Sequence, residues 1–170
     1  MFKNLINKLT GNKEDENNNN IVLKSPLSGK VLHISKTPDD VFAEKMLGDG
    51  VSIEPSEGIV YSPVDGEITQ IFLPSKHAVG ITSKDGLEIL IHIGLDTVKM
   101  NGEGFEALIK QGDQVKEGQE LIRFDIEKIK EKAKSTITPV IVTNMHDIKG
   151  LKLIKDGNIQ AKEDLMIIQK

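Results

Sequence analysis

Residues 86–98 read Gly-Leu-Glu-Ile-Leu-Ile-His-Ile-Gly-Leu-Asp-Thr-Val. Its apolar run is bounded by Gly86 and broken by Gly94, which predicts a buried strand rather than a helix. Side chains alternate between the two faces of a strand, so the odd positions should face a core. These positions are Leu87, Ile89, Ile91, Ile93 and Leu95. His92 then points to the other face, where Gly94 has no side chain to cover it.

A second histidine, His77, lies just upstream in residues 76–82 (Lys-His-Ala-Val-Gly-Ile-Thr). Residues 83–86 (Ser-Lys-Asp-Gly) have turn chemistry, so the two runs should form a hairpin. A four-residue loop would place His77 directly opposite His92, and a two-residue loop would make them diagonal neighbours on one face. A three- or five-residue loop would put them on opposite faces, because a slip of one residue turns every side chain over. We expect one of the first two loops, and therefore two imidazoles side by side.

A histidine in an apolar strand is often only a satisfied core residue, and for His92 alone the structural and the functional interpretation are evenly balanced. The hairpin with His77 favours the functional one. Paired imidazoles suit two kinds of chemistry. They can bind a metal ion, or one can act as a nucleophile while the other holds charge on the group transferred to it.

The composition excludes several classes of function. A chain of 170 residues is long enough for one domain with a core. Its net charge of −4 provides no basic field for nucleic acid. It has no cysteine, which excludes disulfides and thiolate metal sites. No apolar run reaches about 18 residues, so no membrane span is predicted, and the first residues do not resemble a signal peptide.

The chain divides into a predicted flexible tail, residues 1–20, and a folded domain, residues 21–170. Apolar residues recur at helical spacing within residues 1–10, with lysines among the polar positions. This segment could therefore be an amphipathic helix that binds an anionic membrane. A flexible terminus is the favoured interpretation, because ten residues are marginal as an isolated helix. Residues 11–20 contain no apolar side chain, which is typical of a linker.

The folded domain is predicted to be all-β: an antiparallel β-sandwich with internally repeated strand–turn units and one short helix. Its short apolar runs are separated by turns. Residues 25–31 (Ser-Pro-Leu-Ser-Gly-Lys-Val) and residues 62–68 (Ser-Pro-Val-Asp-Gly-Glu-Ile) share the pattern Ser-Pro-x-x-Gly-x-aliphatic. This repeat indicates internal symmetry. The predicted helix is residues 126–134, where apolar residues lie on one side and charged residues elsewhere.

Three functions compete at this point: a phosphoryl carrier, a zinc hydrolase, and a swinging-arm carrier or interaction module. Catalytic zinc needs three protein ligands and a water. The two histidines supply two ligands, Asp96 beyond the strand end could be the third, and no His-Glu-x-x-His motif occurs. Residues 112–121 resemble the turn and strand of biotinyl and lipoyl domains. The chain lacks the lysine-bearing motifs of those domains, so that resemblance is structural at most.

Residues 90–98 (Leu-Ile-His-Ile-Gly-Leu-Asp-Thr-Val) resemble the phosphorylation-site signature of enzyme IIA of the glucose family, in the bacterial sugar phosphotransferase system. Other segments resemble that family in the same order: residues 41–45, 48–50, 63–66, 102–105, 131–136 and 138–140. The resemblance extends over residues 21–170. It implies a cytoplasmic β-sandwich protein that accepts phosphate from the phosphocarrier protein HPr. It also implies transfer of that phosphate to the IIB domain of a glucose-family sugar permease.

The resemblance assigns roles to three residues. His92 would be the phosphoacceptor, through Nε2. His77 would hydrogen-bond the phosphoryl group and be needed for onward transfer. Ser75 stands where the family has a threonine that orients this second ring. No cofactor is implied, although in some relatives a zinc ion bridges the two histidines and a carboxylate of a partner.

The resemblance also implies a docking surface around the histidines. Phe42 and Phe72 match surface phenylalanines of the family, and Val79 is expected in the apolar surround. Asp39 and Asp96 match acidic positions that meet basic residues of partners, where charge steers association and sets its register. A zinc hydrolase of similar β fold that uses the histidine pair stays the alternative function.

Overall fold

The computed structural model describes residues 19–170, so the predicted tail lies outside the described residues except for its last two. The strands are β1 (Asn20–Lys24), β2 (Gly29–His33), β3 (Asp49–Pro55), β4 (Ile59–Tyr61), β5 (Gly66–Ile71), β6 (Ala78–Ser83), β7 (Glu88–His92), β8 (Phe105–Ala107), β9 (Gln114–Val115), β10 (Glu120–Phe124), β11 (Thr138–Val142), β12 (Gly150–Leu153), β13 (Gly157–Ile159) and β14 (Asp164–Gln169). The α-helices are α1 (Asp40–Ala43) and α2 (Ile126–Lys132), and short 3-10 helices span Ile34–Lys36, Thr97–Met100 and Met145–Asp147. No helix in the described part is both long enough and apolar enough to span a bilayer.

Within residues 19–170 the strands form three antiparallel sheets. The large sheet has the order β13-β2-β3-β11-β7-β6-β5-β9, and the two small sheets have the orders β1-β14-β12 and β4-β10-β8. Buried side chains from all three sheets belong to one hydrophobic cluster. The predicted antiparallel β-sandwich is therefore confirmed. Helix α2 lies within the predicted helical segment, whereas α1 is a second short helix beyond the one predicted.

Strand β7 shows the predicted alternation. Leu87, Ile89, Ile91 and Ile93 are all at most 2% exposed, so they face the core. Glu88 is exposed, and His92 is partly exposed on the opposite face. Burial of the aliphatic row on one side therefore fixes which side of the sheet carries His92.

The internal repeat is real, and the order of the large sheet is symmetric about the junction of β11 with β7. The hydroxyls of Ser25 and Ser62 each donate to the carbonyl two residues later, at 2.7 and 2.6 Å. The amide preceding each serine donates to the proline carbonyl of the other segment, at 3.1 and 2.9 Å. The two segments thus hold each other across an approximate two-fold axis.

The β6–β7 hairpin has a register that differs from both expected registers. Thr82 pairs with Glu88, and the Ser83 amide donates to the Leu87 carbonyl at 2.8 Å. Residues 84–86 thus form a three-residue loop, which ends on Gly86 with a φ of +84°, the left-handed conformation that such loops require. The expected loop of two or four residues is therefore wrong. With this register, strict alternation would place the two histidines on opposite faces.

Candidate active site

His92 is the last residue of β7, and a backbone carbonyl fixes its ring. Its Nδ1 lies 2.7 Å from the Gly94 carbonyl oxygen. Because a carbonyl only accepts, Nδ1–H is the donor, and Nε2 of the neutral ring carries the lone pair. Gly94 has a φ of +69°, and a Cβ there would lie 2.7 Å from Thr97 Cγ2 and 2.8 Å from the Ser135 oxygen. Only glycine fits the close turn that brings this carbonyl back to the imidazole.

His77 lies immediately before β6 and is 6% exposed. Its Nδ1 is 2.5 Å from the hydroxyl of Ser75, and that hydroxyl also lies 3.3 Å from the Phe72 carbonyl oxygen. Ser75 is therefore placed where it can orient the second ring. The hydroxyl can donate to Nδ1 or accept from it, so either tautomer of His77 is compatible with this contact.

The two imidazoles pack against each other, with ring centroids 4.8 Å apart and planes at 83°. The register does not forbid this, because β6 begins only at Ala78 and the extended chain is interrupted at Lys76, which has a φ of +55°. Ala78 is the residue paired directly with His92, and its methyl group leaves room for the neighbouring ring. The expected proximity of the rings is confirmed, although the register expected to produce it is wrong.

Two phenylalanines contact the histidines from either side. The Phe42 ring centroid is 5.1 Å from that of His92, and the Phe72 centroid is 5.6 Å from that of His77. Phe72 is half-buried, but Phe42 is only 5% exposed. The expectation that Phe42 is a surface docking residue is therefore corrected: it packs beneath His92 with Ile34, Leu95 and Ile141.

Val79 also differs from expectation, since it is completely buried. It pairs with Ile91 on the core face of the sheet. Its position follows from the three-residue loop, which places odd positions of both strands inward. A partner that docks on the outer face cannot reach this side chain.

The expected acidic residues flank His92. Asp39 caps α1 by accepting from the Val41 amide at 2.9 Å, and Asp96 is exposed with a left-handed backbone, at a φ of +61°. Both carboxylates act to raise the pKa of His92. Several exposed apolar side chains follow the site residues along the chain and were not predicted, since their signal was only their occurrence within polar loops. They are Val41, Met46, Leu47, Leu73 and Val98.

The environment keeps both rings neutral at pH 7. Burial, followed by the neighbouring His92, lowers the pKa of His77 to about 4. Burial also lowers the pKa of His92, against the opposing effects of the Gly94 carbonyl, Asp39 and Asp96. Within residues 19–170 no side-chain nitrogen or oxygen is both fully buried and without a hydrogen-bond partner. The Nε2 atoms of His77 and His92 have no hydrogen-bond partner in that range, so neither atom is fully buried. Both therefore remain open to an incoming group.

The pair does not form a metal centre by itself. Among the described residues there is no group of three or more His, Cys, Asp or Glu side chains placed to hold a metal ion. Asp96 therefore does not complete a zinc site with His77 and His92. The chain offers two imidazole ligands, whereas catalytic zinc needs a third protein ligand.

Comparison with known proteins gives a consistent result. The family model for the phosphoenolpyruvate-dependent sugar phosphotransferase system, EIIA 1, matches residues 21–148. The chain belongs to this family. It is accordingly a component of the phosphotransferase system that carries phosphoryl groups, and the matched proteins give no support to the zinc hydrolase.

Individual relatives agree with the family model. The chain is 55% identical over 152 residues to the glucose-specific EIIA component of Bacillus anthracis, covering 89% of this chain and 88% of that protein. It is 44% identical over 148 residues to the glucose-specific EIICBA component of Staphylococcus carnosus, covering 87% of this chain but 22% of that longer protein. The solved glucose permease IIA from Mycoplasma capricolum has a TM-score of 0.83 at 38% identity, covering 87% of this chain and 95% of that one.

Proposed function

We propose that the protein accepts a phosphoryl group on Nε2 of His92 from HPr and passes it to the IIB domain of a glucose-family sugar permease. The observation that carries this proposal is the state of the His92 ring. Its Nδ1–H is bound to the Gly94 carbonyl, so the lone pair lies on Nε2, beside a second imidazole. A neutral imidazole with an open lone pair is a competent nucleophile toward phosphorus.

In the first step, the lone pair on Nε2 attacks the phosphorus of the phosphohistidine of HPr. A nitrogen–phosphorus bond forms on His92 as the bond in the donor breaks, and the donor ring keeps the electron pair. The Gly94 carbonyl stabilises the positive charge that develops on His92, because it accepts from Nδ1–H throughout. Such transfers depend mainly on positioning and charge stabilisation.

His77 would donate a hydrogen bond from its Nε2–H to an oxygen of the phosphoryl group. That tautomer requires the Ser75 hydroxyl to donate its single proton to Nδ1, at 2.5 Å, in place of the Phe72 carbonyl oxygen, at 3.3 Å. In the unphosphorylated protein the low pKa of His77 keeps this ring neutral, so it would meet the incoming phosphoryl group as a hydrogen-bond donor and not as a cation. A reversible carrier benefits from this, because tight uniform binding of the phosphoryl group would slow its release.

The docking surface would combine exposed apolar side chains with two carboxylates. Met46, Leu73 and Val98 are 67%, 68% and 51% exposed, so they would be available for apolar contacts with a partner. Asp39 and Asp96 would attract basic residues of HPr or of the IIB domain. The IIB assignment draws support from the EIICBA relatives, in which the matching segment is part of a longer chain.

We further propose that residues 21–170 form the phosphotransferase domain and that it works in the cytoplasm without a cofactor. If zinc were bound, His77 and His92 would be the residues of this chain that hold it, and a third protein ligand would have to come from a partner. Membrane contact through residues 1–10 is a separate hypothesis from the sequence. Weaker liposome binding after deletion of residues 1–10 would support it, and unchanged binding would reject it.

The test is intact mass spectrometry after incubation with phosphoenolpyruvate, its upstream kinase and HPr. The wild type should gain the mass of one phosphoryl group, and His92→Ala should gain none. His77→Ala should still gain it but should fail to pass it to a purified IIB domain. His33→Ala is the matched control, because the His33 side chain is exposed and hydrogen-bonds only with Ser35 among the described residues. Phosphorylation of the His92 variant would refute the proposal.

A further inference from the structure

Lys76 stands between Ser75 and His77 and has a left-handed backbone, with a φ of +55°. Glycine adopts this conformation freely, but L-residues other than asparagine and aspartate rarely do, because their Cβ then crowds the following carbonyl. Such residues concentrate at functional sites. We propose that the left-handed backbone of Lys76, and not its charge, positions the His77 ring for onward phosphoryl transfer. This proposal rests on the proposed function.

The hydrogen bond between Ser75 and His77 requires a bend at Lys76. In an extended chain, residues two apart are separated by about 6.6 Å along the strand, and a serine hydroxyl would not reach the ring nitrogen. Here the hydroxyl of Ser75 lies 2.5 Å from Nδ1 of His77. The left-handed residue between them turns the chain so that the two side chains meet. Lys76 therefore acts on His77 through Ser75, and is a positioning residue.

The surrounding loop holds this bend in place. The Phe72 amide donates to the Ala78 carbonyl at 3.2 Å, which closes the loop between β5 and β6. Inside the loop, the Lys76 amide donates to the Phe72 carbonyl at 2.6 Å. Phe72 also packs against the His77 ring. The imidazole is thus held at Nδ1 by a hydroxyl and along its side by an aromatic ring, and both contacts depend on the fold of this loop.

The same bend explains how the histidines meet despite the register. Ala78 and His92 are paired on the outer face, whereas Val79 lies on the core face. A strand continued backward through His77 would give that residue the inward orientation of Val79. The Ile93 amide still donates to the His77 carbonyl at 2.6 Å, but β6 itself starts at Ala78. The bend at Lys76 thus lies directly before His77, whose ring lies against that of His92 and not inward like Val79.

The test compares two substitutions at this position. Lys76→Gly removes the charge but favours a positive φ, so onward transfer to the IIB domain should stay within about twofold of the wild type. Lys76→Val also removes the charge, but a β-branched residue tolerates this backbone poorly. Its onward transfer should fall about tenfold. Acceptance of phosphate from HPr, which needs only His92, should change less than about threefold in both variants.

Lys162→Val is the matched control. Lys162 is also a lysine with a left-handed backbone, at a φ of +76°, and its ammonium group lies 4.6 Å from the Tyr61 ring centroid, away from the histidines. Its substitution should lower the melting temperature much as Lys76→Val does, yet leave onward transfer unchanged. A general loss of stability would instead slow transfer in both valine variants.

Imidazole ¹⁵N chemical shifts supply a readout that is independent of transfer. His77 in the glycine variant should keep the shifts of the wild type, and His77 in Lys76→Val should show altered Nδ1 shifts as its bond to Ser75 is lost. Equal losses in the glycine and valine variants would assign the effect to the ammonium group and overturn the proposal. Wild-type shifts together with wild-type transfer in Lys76→Val would also overturn it. Failure of the wild type itself to pass phosphate would refute the proposed function, while the shifts would still test the role of Lys76.

Discussion

The two halves of the large sheet use equivalent strand positions in different ways. β2, β3 and β11 in one half correspond to β5, β6 and β7 in the other. The paired residues can be followed from the glycine of each repeated segment across its half of the sheet. Ile141 in β11 and His92 in β7 then occupy equivalent positions. Each faces a small partner across its strand pair, Gly50 for Ile141 and Ala78 for His92. Ile141 is 1% exposed, whereas His92 is partly open to solvent.

The difference between the halves lies in the connections between their strands. Residues 34–48 join β2 to β3 and include α1, and they cover Ile141 with Ile34 and Phe42. The equivalent connection from β5 to β6 is only residues 72–77, so a groove of about 380 Å³ remains open beside Phe72 and Leu90 on the outer face. The short connection thus leaves the position of His92 exposed, whereas the long connection covers the equivalent position of Ile141. The long connection also supplies Phe42, whose ring packs against that of His92.

The comparison predicts that Phe42 and Phe72 contribute differently to the free energy of unfolding. Phe42→Ala should lower the free energy of unfolding by about 3 kcal/mol, because it empties a buried site beneath His92 and Ile141. Phe72→Ala should lower it by about 1 kcal/mol or less, since that ring is half-exposed. Urea denaturation of both variants measures this difference. Equal losses would contradict the view that only one half of the sheet is covered.

A pH series tests the burial of the uncharged histidine pair. The pKa of His77 is lowered to about 4 from an ordinary value of 6.5. The unfolded chain therefore binds its proton first as pH falls, so stability is full above pH 6.5 and declines between about pH 6.5 and pH 4. The loss from this ring should be about 2–3 kcal/mol. His77→Gln should remove most of that dependence, and an unchanged slope in this variant would show that another group is responsible.

The smallest effect is expected for the two carboxylates beside His92. Asp39→Asn keeps a good capping residue for α1, and Asp96→Asn keeps a residue that tolerates a left-handed backbone. Each should slow association with HPr about two- to tenfold at low salt, through loss of steering. The difference should vanish at high salt. Stopped-flow kinetics measures this association rate, and Asp156→Asn, in an exposed loop, is the control. Equal slowing in all three variants would indicate a nonspecific charge effect.

The features that could be predicted are those that depend on a local sequence pattern. The inward row of β7 and the repeated Ser-Pro segments could be inferred from short stretches. The proximity of His77 to His92 was predicted from a register that is wrong, because that proximity depends on the bend at Lys76. The hairpin register could not be inferred, because it depends on the bonds of Ser83 with Leu87 and on the left-handed Gly86. That error also misplaced Val79, since a shift of one residue turns it from the surface to the core.

The burial of Phe42 was beyond the sequence for a different reason. It depends on which of two similar connections is long enough to fold back over the sheet. The partners of Phe42 include Ile141, which is far from it along the chain. No local periodicity in residues 39–50 reports a contact of this range. A surface phenylalanine and a buried one look alike in a short loop.

The most direct test of the central claim is to locate the phosphoryl group on the phosphorylated protein by NMR of ¹⁵N-labelled imidazoles and of ³¹P. The Gly94 carbonyl engages Nδ1–H of His92, so the nitrogen–phosphorus bond should form at Nε2 of that ring, and Nδ1 should remain hydrogen-bonded. A bond to phosphorus at Nδ1 of His92, or at either nitrogen of His77, would contradict this account of the site.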